Sequence, residues 1–201
     1  LGIYGSHAMG NVKLQGSAQY AVINNTYSRT TPTGSSGADF TAKDASMWLS
    51  GSYGYKIYKS LTLEPYMEAS YKYYSQPEYD ESGAVGASLR VGEYSTKKYG
   101  MGAGAKIIKE FADKKGSFDF SMGAVREWGD LGKALSVRFA AAPNAGNWDA
   151  QVLDRSNTVY KVASGVLYKV ANSTEIFGNI EASKRVNENS VMGIAGVRIG
   201  F

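Results

Sequence analysis

The sequence predicts an all-β chain folded as an antiparallel transmembrane β-barrel of the outer membrane, and three observations predict it. The composition is rich in Tyr (15) and Gly (24) and poor in Pro (4), a balance that suits strands and tight turns. Apolar and polar residues alternate over stretches longer than the five or six residues of a typical globular strand. The chain also finishes on an alternating stretch, VMGIAGVRIGF (191–201), whose last residue is aromatic. There Val191, Ala195, Val197, Ile199 and Phe201 share one face, and Met192, Ile194, Gly196, Arg198 and Gly200 the other. One face suits lipid and the other suits water. A final strand of this kind closes a barrel, because a sheet in hydrocarbon cannot leave an open edge.

Other classes are excluded by composition. The mean hydropathy is -0.29, and no run approaches the roughly 18 apolar residues of a membrane helix. A membrane barrel escapes that filter, because only every second strand residue faces lipid. There is no cysteine, hence no disulfide framework and no thiolate metal site. The net charge of +4 is spread as single Lys and Arg residues rather than clustered, which argues against nucleic acid as a partner. The chain opens inside an alternating segment, LGIYGSH. No signal peptide is visible in the sequence, and the first residue reads as a cut.

Taken in order, the strands are these. Residues 1–7 open the series. In 12–22, Val12, Leu14, Ala18, Tyr20 and Val22 oppose Lys13, Gln15, Ser17 and Gln19. In 45–56, Met47, Leu49, Tyr53 and Tyr55 oppose Ser46, Ser50, Ser52 and Lys56, with Trp48 on the polar side. The clearest is 61–74, LTLEPYMEASYKYY, in which Leu61, Leu63, Pro65, Met67, Ala69, Tyr71 and Tyr73 share a face. Its length matches a tilted membrane strand with an extension beyond the bilayer. Strands follow at 83–92 (Val85, Ala87, Leu89, Val91), 101–107 (Met101, Ala103, Ala105, Ile107), 117–122 (Phe118, Phe120, Met122) and 135–139 (Leu135, Val137, Phe139). The series ends with 160–170, 175–182 and 191–201. That makes about eleven strands. Bacterial single-chain barrels have an even number, so one strand is missing, most simply at the N-terminus.

Connection lengths orient the barrel. Short turns are expected near 9–11, 58–60, 94–96, 129–132 and 171–172, and longer loops at 24–40, 75–82, 110–115, 141–157 and 184–189. Short turns face the periplasm and long loops the exterior, which places the C-terminus on the periplasmic side.

The succession GSYGYKIYKSLTLEPYMEASY (51–71), Glu81-Ser82-Gly83, VREWGDLG (125–132), SVRFAAAP (136–143) and GVRIGF (196–201) resembles the β-domain of autotransporters, the translocators of type V secretion. The resemblance covers nearly the whole chain in the right order. It implies a twelve-stranded barrel in a Gram-negative outer membrane, whose pore holds a linker helix and whose N-terminal passenger reaches the cell surface. Residues 1–201 would then be one barrel domain lacking its first strand and linker. The partners it implies are the barrel-assembly machinery, the passenger and linker helix, and outer-membrane lipid with lipopolysaccharide. It implies no cofactor and no catalysis, since export is driven by folding of the passenger outside. A passive porin-like or adhesin barrel is the alternative.

Candidate site residues follow from the inward face. Glu64, Glu68, Lys72, Arg90, Lys106, Arg138, Lys161 and Arg198 are expected to line the pore, since a hydrated lumen tolerates charges that the lipid face does not. They either brace the wall through cross-strand pairs or hold the linker; Glu64, Glu68, Lys72, Arg90 and Arg138 are the residues expected to hold it. Small residues, Ala84, Gly86 and Ser88 on one strand and Gly100, Gly102 and Gly104 on the next, would let a chain approach the wall closely or merely relieve curvature. Gly102 to Lys106 is not a phosphate loop, because no helix N-terminus follows. Trp128 reads as an interfacial anchor, and Phe201 as the family's terminal signal for assembly. The single histidine, His7, has no acidic neighbour in sequence. Glu64 and Glu68 are about 13 Å apart along their strand, too far to share a proton.

Overall fold

The computed structural model describes residues 1–142, 144–150, 157–171, 173–186 and 188–199. Among these residues there are fourteen strands: β1 (Gly2–Met9), β2 (Val12–Thr31), β3 (Gly34–Tyr53), β4 (Tyr55–Tyr58), β5 (Leu61–Gln76), β6 (Tyr79–Asp80), β7 (Leu89–Val91), β8 (Tyr94–Glu110), β9 (Gly116–Gly129), β10 (Leu135–Phe139), β11 (Trp148–Ala150), β12 (Thr158–Ala171), β13 (Thr174–Arg185) and β14 (Glu188–Ile199). Ten of them form one antiparallel wall in the order β1-β2-β3-β5-β8-β9-β12-β13-β14, with β4 continuing β3 along β5. Every wall neighbour is also a neighbour in wall sequence, the up-and-down arrangement of a barrel.

Alternation sets the register. Pairing Leu49 with Gly16 and Ala69, and Met101 with Ala69 and Arg126, carries one set of side chains around the outside of the wall. A slip of one residue would turn that whole set inward. Leu49 is 60% exposed and Met67 64% exposed, while the buried hydrophobic residues among those described are only Ala42, Ala84, Val91, Val125, Val137 and Val159. The described residues form no apolar interior that could hold a domain together in water. Its apolar surface is on the convex face, where lipid supplies the partner. Gly10, at φ 59, makes the tight turn between Met9 and Val12, a conformation that a residue with a Cβ adopts at a cost.

Two expected spans are corrected. Neither 83–92 nor 135–139 joins the wall. Instead β7 pairs with β10, flanked by β6 and β11, in a separate four-stranded sheet. Alternation reports a half-buried strand without saying whether lipid or protein covers it, and here protein does: Val91 and Val137 pair across these strands and are buried. At three and five residues both strands fall short of the nine to eleven needed to cross a bilayer.

This changes the connections. Residues 94–96 begin β8 rather than forming a turn, and 129–132 lead into the segment that carries β10 and β11. The expected loop 24–40 is instead a hairpin, paired continuously from Asn24 with Thr41 to Thr31 with Gly34. Residues 111–115 lie at the same end as 10–11 and 59–60, the periplasmic end. The strand directions put Ile199 at that end too. The hairpin tip and the segments 77–93 and 130–157 are external. β1 and β14 stand at opposite edges of the wall and do not pair with each other.

Candidate functional site: the concave groove and its external cover

The inner residues of seven strands converge on a polar groove. Its lining includes Gln15, Trp48, Glu64, Glu68, Lys106, Asp119, Lys161 and Glu181. Glycines make the floor. A Cβ at Gly104 or Gly123 would come within 2.5 Å of the Tyr66 hydroxyl, and one at Gly102 would meet Val125 and Glu68 at 2.7 and 3.1 Å. The ring of Tyr66 therefore lies flat over two neighbouring strands, a position open only because those residues lack side chains.

Over that floor the charges meet. Lys161 Nζ donates to Glu68 Oε1 at 2.9 Å, and Trp48 Nε1 donates to Glu68 Oε2 at 2.9 Å. Ser52 Oγ donates to Glu64 Oε1 at 2.5 Å. Nearer the external end, Arg185 of β13 reaches across β12 to Glu127 of β9, with Nη1–Oε2 2.5 Å and Nη2–Oε1 3.0 Å. These carboxylates are each held by a donor on another strand, so the inner face is braced as well as hydrated.

The expected pore residues divide into four sets. Glu64, Glu68, Lys106 and Lys161 come together in the groove. Lys72 lies on the same face of β5, exposed and opposite Lys98. Arg198 lies on β14 near the periplasmic end, bonded to Glu175 at 3.2 Å. Arg90 and Arg138 are off the wall, on the outer sheet, where they are cross-strand partners; Arg90 pairs with Asp80 and approaches Glu78 at 3.5 Å. Of the small residues, Gly100, Gly102 and Gly104 are on the inner face of β8. The wall's own Ser70, Val125, Glu68 and Tyr66 cover them. Ala84, Gly86 and Ser88 do not form an adjacent wall strand but sit in the external segment 77–93. Phe201 lies outside the described residues.

The arrangement that sequence reasoning missed is the external cover. Glu81, whose side chain is 1% exposed, accepts from Arg29 Nε at 2.9 Å, Arg29 Nη2 at 2.7 Å, Ser36 Oγ at 3.1 Å and the Leu89 backbone N–H at 3.0 Å. Arg29 Nη2 also donates to the Ala87 carbonyl at 2.6 Å, and the rings of Phe40 and Tyr79 stack at 4.3 Å. The β2–β3 hairpin and the segment 77–93 are thereby fastened together. The Arg29 guanidinium, with the Leu89 N–H and the Ser36 hydroxyl, holds the Glu81 carboxyl below the usual carboxylate range despite its burial. The signal in sequence was slight: Glu81-Ser82-Gly83 was visible as a motif, but nothing local pointed to Arg29.

An up-and-down antiparallel wall with a lipid-facing exterior, a charged interior, short turns at one end and long connections at the other is an outer-membrane β-barrel protein. Residues 1–181 match the family described as autotransporter beta-domain, and the chain belongs to that family. It is the translocator barrel of an autotransporter, placed in the outer membrane of a Gram-negative bacterium and carrying a passenger. Among solved structures it is similar to a KdgM porin in complex with disordered oligogalacturonate, at 13% identity and a TM-score of 0.29, with 100% of this chain and 99% of that one covered. No curated protein matches it in sequence.

Proposed function

We propose that residues 1–201 act as one barrel domain that exports its passenger without catalysis, holding the linker in the groove formed by Glu64, Glu68, Lys106 and Lys161. The observation that supports this reading is the groove itself, in which carboxylates and lysines from several strands sit over a glycine floor. An extended or helical linker carries backbone and side-chain polar groups, and alternating charges on the wall can exchange their mutual pairs for pairs with it. The barrel-assembly machinery would fold the wall, reading the terminal Phe201, and lipopolysaccharide would surround its external half.

The test uses the absence of cysteine in the chain. A single cysteine at Ser50 or Ser121, both groove residues, is paired with a scan of cysteines along the linker of the full-length protein. Disulfide formation at Ser50 and Ser121, together with single-channel conductance that rises when the linker is removed, is the expected result. Conductance indifferent to the linker, with no cross-link at either position, would move the reading to a passive porin-like barrel.

A further inference from the structure

Cations lie on both faces of the wall. On the inner face Lys161 and Arg185 each have a carboxylate partner, as do Lys169 and Arg198 with Glu175, while Lys13, Lys72 and Lys106 face the hydrated groove side with no ion pair among the described residues. On the convex face five cations, Lys43, Lys97, Lys109, Arg126 and Lys184, are exposed and form no ion pair among the described residues; Lys109, opposite Leu61, is at the periplasmic end, and the other four lie toward the external end.

Register places these four side chains on the apolar face. Lys43 is opposite Val22, Lys97 opposite Tyr73, Arg126 opposite Met101, and Lys184 opposite Tyr160. They also form a row. Counted from the periplasmic turns, Arg126 and Lys184 each stand about eleven residues up their strands, roughly 36 Å along the chain and 28 Å in height at a 40° tilt. Lys97 and Lys43 stand a few residues farther along strands whose register is offset in the same direction as the turns. Neighbours in the row are roughly 12 to 14 Å apart. An aromatic girdle runs beside it: Tyr71 and Tyr99 at 5.2 Å, then Tyr99 and Trp128 at 6.4 Å. Such a girdle marks the external interface of the bilayer.

Among the described residues carboxylates are nearly absent from this band. Asp39 is on the same face but higher on the hairpin, opposite Thr26. Asp130, beyond Lys97, accepts that residue's backbone N–H at 2.9 Å. An uncompensated row of positive charge at the external interface, seated on apolar surface, complements a lipid with acyl chains below and phosphates at headgroup level.

We propose that Lys43, Lys97, Arg126 and Lys184 form a binding surface for the phosphorylated headgroup of lipopolysaccharide, the lipid of the external leaflet. The proposal rests on the outer-membrane placement of the barrel and not on its use of the groove. The acyl chains lie along Met101, Val162 and their neighbours, while long cationic side chains extend upward to the phosphates.

The test is made on full-length protein purified from outer membranes and then returned to vesicles. A variant with all four residues changed to Gln is compared with a control in which Lys56, Lys59 and Lys115, exposed cations of the periplasmic end, are changed to Gln. Lipopolysaccharide retained through purification is measured by native mass spectrometry, and the unfolding midpoint is measured in phosphatidylethanolamine vesicles with and without added lipopolysaccharide. At about 1 kcal/mol per basic residue near an anionic surface, each single substitution weakens binding about fivefold. The fourfold variant should lose retention and lose the rise in midpoint, while the control keeps both. Equal loss in the two variants, or none in either, overturns the proposal. The four single variants carry the same test should the combined one fail to fold. Surface exposure of the passenger, read by added protease in the same cells, reports separately on export.

Discussion

Lys161 on β12 lies 2.9 Å from Glu68 on β5, although β8 and β9 stand between those strands. In a flat sheet the two backbones would be about 14 Å apart. Curvature of the wall and the absence of side chains at Gly102, Gly104 and Gly123 together allow the contact. Local strand chemistry, the small residues of β8 and β9, thus determines a tertiary contact on the inner face.

The pair is partly buried, at 33% and 12% side-chain exposure, and Lys161→Met would leave Glu68 with Trp48 alone. We expect a loss of about 1 kcal/mol, between the value of an exposed pair and that of a buried one. The urea midpoint of the barrel refolded in vesicles measures it. The exchange E68K/K161E should recover part of the loss, and no recovery would show that Lys161 acts through packing rather than charge.

Glycine at 123 is required by its neighbour. A Cβ there would meet the Tyr66 hydroxyl at 2.5 Å and the Ala103 carbonyl at 3.0 Å. Gly123→Ala should cost about 1 to 3 kcal/mol, as overpacking does, and Y66A in the same chain should remove most of that penalty. The shift between folded and unfolded bands on unboiled gels reads both effects.

Much of this wall was legible in the sequence. The alternation of 61–74 gives β5 (Leu61–Gln76) almost to its ends, and the stretches 160–170 and 175–182 fall within β12 and β13. Those strands could be read because each residue's face is decided locally, by a period of two. The outer sheet could not be read that way. β7 and β10 alternate as wall strands do, and only their shortness and their mutual pairing set them apart. The site was legible by residue but not by partner: Glu68 and Lys161 were both expected inside, whereas their contact depends on curvature that no local pattern encodes. Arg29 was hidden for a different reason, since its polar surroundings read as a loop, while the structure extends β2 through it.

The fastening of the external cover should depend on pH. Glu81 titrates from a reference value of 4.5, and Arg29 holds it lower in the folded protein. A lowered carboxylate contributes stability that is present above the unfolded value and is lost as pH falls through the folded one. Cleavage by an acid-tolerant protease within 77–93 should therefore stay slow at neutral pH and accelerate below about pH 4.5. Glu81→Gln should be cleaved rapidly at every pH, because it keeps the shape but surrenders the charge that Arg29 pairs with. A pH profile identical in wild type and E81Q would assign the fastening to the Phe40–Tyr79 stack instead.

Ion selectivity separates the residues of the groove from those beyond it. Lys106 and Lys161 line the groove, and charge within a narrow polar path acts on every permeating ion. Arg90 and Arg138 belong to the outer sheet, and Arg90 is already neutralised by Asp80 at 2.5 Å. In the full-length protein with its linker removed, K106Q should move the reversal potential in a salt gradient toward greater cation preference. K161Q should do so less, because it also frees the carboxylate of Glu68. R90Q and R138Q should leave the potential where it was, since a charge screened by water over a Debye length of about 10 Å at 0.1 M salt exerts little influence on the path below. A shift in R90Q as large as that in K106Q would place the outer sheet inside the conduction path.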